Sequence, residues 1–123
     1  MPAPEKITEF ISATFRSVWS LELLCHLQVH SDRCLSVAEM VTELRASDLI
    51  VRQSVDALVA AGLLIVDEQG CASYHPASED LETLADAVRA LYARSPDAVR
   101  RMIVAGSNPG ITAFADAFRF RRD

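Results

Sequence analysis

The spacing of apolar positions changes several times along the chain, and each change marks an element. Ile7, Phe10, Ile11, Thr14 and Phe15 fall at helical intervals and predict a helix from Glu5 to Phe15. Its single apolar stripe needs the body or a second subunit to cover it. Val18 to His30 places Val18, Leu21, Leu24, Cys25 and Leu27 on one face, widened by Trp19 and Leu23, which predicts a central buried helix capped by Ser17 or Ser20. Ser31 to Leu35 reads as a loop. Ser36-Val37-Ala38-Glu39 then has capping-box spacing, with a hydroxyl and a carboxylate placed to satisfy free amides at a helix start. Val37, Met40, Val41 and Leu44 form the inward side of that helix, which is expected to end near Arg45. After a turn at Ala46-Ser47, Val51, Val55 and Leu58 face inward on a third helix capped by Ser47 or Asp48.

Beyond Gly62, placed as a left-handed helix stop, the period shortens. Leu63 to Val66 is rich in strand formers, Glu68-Gln69-Gly70 is a turn, and Cys71 to His75 alternates as a return strand closed by Pro76. Helical spacing resumes after Ser78-Glu79-Asp80, through Leu81, Leu84, Ala85, Val88, Leu91 and Tyr92 to about Arg94. A further helix starts at Ser95-Pro96-Asp97 and is expected to close at Gly106. Ser107 to Gly110 reads as a loop, and Ile111, Phe114, Ala115 and Phe118 as the face of a last short helix.

Composition narrows the class. With 123 residues, half of them hydrophobic, the chain holds one domain with one core. That domain divides into N-terminal helices (5–30), a helix-turn-helix with a hairpin (36–75), and C-terminal helices with an aromatic and basic tail (78–123). No apolar run reaches membrane-spanning length, so a cytoplasmic, soluble protein with no membrane partner is expected. Cys25, Cys34 and Cys71 are odd in number and lack a CxxC pair, which fits a reducing compartment.

The run Ser36 to Leu44, then Ser47 to Leu58, then Ala61-Gly62-Leu63-Leu64 resembles the winged helix-turn-helix superfamily of bacterial transcription regulators, including its MarR-like group. The likeness covers the middle third of the chain. It implies a mainly α fold, a winged helix-turn-helix with a two-stranded β-hairpin wing and extra N- and C-terminal helices. It also implies a DNA-binding transcription regulator acting as a homodimer, whose third helix enters the major groove. By position, Leu49, Arg52, Gln53 and Asp56 lie on the reading face, and Glu68, Gln69 and Gly70 at the wing tip. The DNA-contacting set is then Arg45, Ser47, Arg52, Gln53 and Gln69. An arginine can bind a guanine edge and a glutamine an adenine edge, while Ser47 offers a phosphate a hydroxyl at a helix start.

Charge supports a second reading. The net charge is −5, and residues 36–75 carry Glu39, Glu43, Asp48, Asp56, Asp67 and Glu68 against only Arg45 and Arg52. Phosphate contacts depend on Lys and Arg, so the alternative is an acidic winged-helix module that binds protein without direct DNA contact. The tail, Phe114, Phe118, Arg119, Phe120, Arg121 and Arg122, is a docking element for a protein partner or a neighbouring subunit. Trp19, Tyr74 and Tyr92 are placed either in ordinary packing or around a small pocket. His26, His30 and Cys34, with Cys71 and His75 as further donors, sketch a metal reading that no second spaced pair completes. No metal, no cofactor and no catalytic residue is assigned, since phosphate loops, nucleophile elbows and paired nucleophiles are absent from the sequence.

Overall fold

The computed structural model describes residues 2–107, which build six helices and one two-stranded antiparallel sheet. In chain order these are α1 (Pro4–Thr14), α2 (Val18–Val29), α3 (Val37–Leu44), α4 (Asp48–Ala60), β1 (Leu64–Val66), β2 (Ala72–Tyr74), α5 (Glu79–Arg94) and α6 (Pro96–Ser107). The expected last helix and the Phe/Arg tail, including Phe114, Phe118, Arg119, Phe120, Arg121 and Arg122, lie outside the described residues. Among those described, no helix is long and apolar enough to cross a membrane.

Local chemistry sets most boundaries. Pro4 opens α1, where its missing N–H costs nothing. Ser17 caps α2 in a box closed by Ser20, and Ser36 caps α3 in a box closed by Glu39, whose Oε1 accepts the Ser36 amide at 3.0 Å. Ser47 and Ser78 each accept an amide from the first turn of α4 and α5. Gly62 ends α4 with φ +80°, where a side chain would be strained and would also meet Leu81. The end of α3 carries no such mark: Arg45 itself takes the left-handed conformation, φ 56°.

The core gathers around α2, whose Leu21, Leu23, Leu24 and Leu27 are all buried. Met40 of α3, Val51 and Leu58 of α4, Ala85 and Val88 of α5, and Val99 and Ile103 of α6 close on it. The stripe on α1 is covered within the protomer: Ile11 and Phe15 are fully buried, Ile7 and Phe10 pack against the core, and α1 lies on α5 and α6. Gly106 departs from its expected role as a helix stop. It sits inside α6, and a Cβ there would fall 3.2 Å from the Ser12 Cα, so its function is to let α1 and α6 cross at backbone distance.

The hairpin pairs Leu64 with Tyr74, Ile65 with Ser73 and Val66 with Ala72. Its tight turn uses Gly70 at φ +84°. On the other side of β2, Leu35 and Ala72 exchange both backbone hydrogen bonds, at 2.8 and 2.7 Å. The segment ahead of α3, expected to be a loop, thereby adds one bridge to the sheet and makes β2 its middle member.

Candidate functional site

Helix α4 has two opposite faces. Val51, Ser54, Val55 and Leu58 are buried, the inward set expected from the periodicity with a serine between. Outward stand Leu49, Arg52, Gln53, Asp56 and Val59. Its short connection to α3 presents this outward side beside the hairpin.

Each residue expected to contact DNA can now be placed. Arg45 is exposed at the left-handed end of α3. The Ser47 hydroxyl is occupied as a cap, accepting the Ile50 amide at 3.1 Å. Arg52 is exposed, but its Nε donates to Asp48 Oδ1 at 2.7 Å, one turn back on the same helix. Gln53 lines an open cleft of about 760 Å³ with Arg16, Trp19 and Asp56. Gln69 lies at the hairpin turn, where its backbone amide donates to Asp67 Oδ1 at 2.9 Å. The set therefore does not converge. Arg52 shares a cleft of about 500 Å³ with Val37, Val59, Val66 and Gly70, whereas Gln53 faces the α2 side.

Four apolar side chains of α4 and β1 are exposed, Leu49 at 64%, Ile65 at 50%, Val66 at 43% and Val59 at 40%, and of these Val59 and Val66 share the Arg52 cleft. Leu49 belongs to the expected reading face; Val59, Ile65 and Val66 do not. Position 59 follows Arg52 and Asp56 at helical spacing, which was the available signal. Alternation along β1 gives no better warning, because Ile65 and Val66 are both exposed. Asp56 lines the same cleft, Asp67 and Glu68 are exposed in the hairpin turn, and Arg52 is the only basic residue of α4.

Polar pins hold this region to the body. His26 Nε2 lies 2.8 Å from Glu43 Oε1, tying α2 to α3, and the Arg33 guanidinium reaches both Glu43 and Glu39 at 3.5 and 3.6 Å. The Glu39 carboxyl is held below its ordinary value by the Ser36 amide and hydroxyl, helped by Arg33. At the turn, Asp67 Oδ1 accepts the amides of Cys71 and Gln69, both at 2.9 Å, and these bonds lower the Asp67 carboxyl in turn. Its second oxygen lies 3.7 Å from Cys34 Sγ. Desolvation, then the Asp67 carboxylate and the Cys71 sulfur, push the Cys34 thiol up to about 11. Cys34 is thus a thiol rather than a reactive thiolate near neutral pH.

The aromatic trio disperses. Trp19 borders the Gln53 cleft, while Tyr92 donates to Glu22 and carries the Arg100 guanidinium over its ring. Tyr74 keeps its hydroxyl buried near Gln28, without a well-formed hydrogen bond for either. They form no common pocket wall. Comparison of the chain with protein-family models, curated proteins and solved structures gives no match.

Proposed function

We propose that the chain is a winged-helix module that binds a protein partner through the outward face of α4 and its hairpin. One observation carries this reading: Arg52, the single basic side chain of α4, is paired with Asp48, while Val59 and Val66 stand exposed in the same cleft and Leu49 and Ile65 are exposed elsewhere on α4 and β1. A DNA-reading surface offers the reverse, several free cations and few exposed aliphatic groups. The complementary partner presents an apolar strip bordered by basic residues. Three free cysteines fit work in a reducing compartment such as the cytoplasm. A homodimer would have to use surfaces other than the α1 stripe, which is consumed inside the protomer.

The test places a photo-crosslinking side chain at Leu49 or Ile65 of the full chain in its native cells. A discrete protein adduct from both positions, and none from the exposed control position Ala90, is the expected result. In parallel, duplex DNA fragments at low salt should bind no better than they bind an unrelated acidic protein.

The second reading is a DNA-binding transcription regulator. It is favoured by the exposed Arg45 at the end of α3 and Arg52 on α4, and by Gln53 and Arg16 lining one open cleft. Duplex binding that weakens in Arg52→Ala, without a protein adduct at Leu49 or Ile65, would replace the first reading with this one.

A further inference from the structure

Two groups of ligand-type side chains gather at the junction between body and hairpin, and they differ in what already satisfies them. The first is His26, His30 and Glu43. There His26 and Glu43 hydrogen-bond to each other, and the Arg33 guanidinium lies 3.5 Å from the other Glu43 oxygen. A local cation thus already balances that carboxylate, and the group is accounted for as an α2–α3 fastening.

The second is Cys34, Asp67 and Cys71, whose two sulfurs and one carboxylate oxygen lie within 4.8 Å of one another. No basic side chain is paired with any of them among the described residues. Backbone structure fixes all three origins. Leu35 and Ala72 are bridged antiparallel through both amides, so Cys34 falls opposite Ser73, and the Cys34 and Cys71 side chains meet on a diagonal across one face of the sheet. Asp67 is locked at the turn because its Oδ1 accepts two amides, leaving Oδ2 directed at the Cys34 sulfur.

We infer that Cys34, Asp67 and Cys71 bind one thiophilic divalent cation of the zinc class, with three protein ligands and a fourth position open to solvent. Zinc bonds of about 2.3 Å to sulfur and about 2.0–2.2 Å to oxygen place tetrahedral ligand atoms roughly 3.5–3.8 Å apart. The 3.7 Å between Cys34 Sγ and Asp67 Oδ2 already meets that spacing, and small side-chain rotations bring in the rest. Each thiol releases its proton to solvent as its sulfur–metal bond forms, so two thiolates and one carboxylate surround a dication. Exposure of Cys34 and Asp67 lets the ion enter and leave directly. Bound there, it would clamp the hairpin turn to the segment that leads into α3. This site stands independently of what α4 docks against.

The full chain, reduced with a phosphine and freed of metal, is titrated with Co²⁺ and then Zn²⁺. The expected result is a thiolate-to-cobalt charge-transfer band that saturates at one ion per chain and disappears when Zn²⁺ displaces cobalt. The band should be lost in Cys34→Ser and Cys71→Ser, weakened in Asp67→Asn, and kept in Cys25→Ser and His26→Ala. Alkylation of the unmutated chain, followed by mass spectrometry, gives a readout that needs no variant: Zn²⁺ should protect Cys34 and Cys71 but leave Cys25 unchanged. Absence of the band, its persistence in both serine variants, or unprotected Cys34 and Cys71 at saturating Zn²⁺ would overturn the assignment. So would a Cys34–Cys71 disulfide on air exposure with no cobalt signal from the reduced chain.

Discussion

The body and the hairpin end share one apolar core but differ in the polar contacts added to it. Around α2, the packing of α1, α5 and α6 is aliphatic and aromatic, from Ile11 and Phe15 through Leu21 and Leu24 to Val99 and Ile103. At the junction of α3, α4 and the hairpin, directed polar contacts are added: the Ser36–Glu39 box, the His26–Glu43–Arg33 cluster and the amides on Asp67. Burial gives the first region its rigidity over a broad area, because every side chain shares its neighbours' contacts. The second shares that burial through Leu35, Met40, Val51, Leu58 and Ala72 and adds individual bonds, each of which can be lost locally.

The largest test of this contrast is Leu24→Ala, which leaves a void in the body and should cost about 2–5 kcal/mol in urea unfolding. A loss below about 1 kcal/mol would show that α2 is not the centre of the packing. Next, Gly106→Val inserts a branched side chain where α1 and α6 cross and should cost about 1–3 kcal/mol, while the same change at Gly70, with no neighbour within 4 Å, exposes only the strain of its left-handed backbone. A loss below about 0.5 kcal/mol at Gly106 would remove the close crossing as the explanation.

At the polar end, Ser36→Ala should cost about 1 kcal/mol, with hydrogen-exchange protection lost first in α3 and not in α2. Glu39 adds a pH signature. Its folded carboxyl lies below the ordinary 4.5, so its contribution is complete above that value and disappears as pH falls through the lower folded value. Comparing urea midpoints from pH 7 into the acid range, Glu39→Gln should show a shallower fall than the parent; parallel curves would dissociate the box from acid stability. The smallest change is Leu49→Ser, expected within about 0.5 kcal/mol of the parent because that side chain is already in water. A larger loss would make Leu49 a structural residue and weaken the recognition reading.

What could be read from the chain was local. The serine caps act three residues away from themselves, and Gly62 stops α4 through its own backbone angle, so both were visible as short patterns. Arg52 and Asp48 are four apart on one helix, so their pairing was within reach of the same reasoning. The Leu35–Ala72 bridge, the His26–Glu43 contact and the Cys34–Asp67 approach join residues 37, 17 and 33 positions apart, and no periodicity carries that information. Gly106 was misread because a glycine marks a helix stop and a close helix crossing with the same letter. Val59 and Ile65 escaped the candidate surface because hydrophobicity predicts burial until the covering element is known to be missing.

The Leu35–Ala72 bridge makes the hairpin a lever with its short arm under α3. Leu35 is pinned to Ala72, the first residue of β2, and the next residue, Ser36, is the cap on which α3 begins. Leu35 and Ala72 are themselves fully buried, so a force that tilts the hairpin is delivered one residue before that helix, through the edge of the core. Events at the turn and events on α3 become two ends of the same rigid arm.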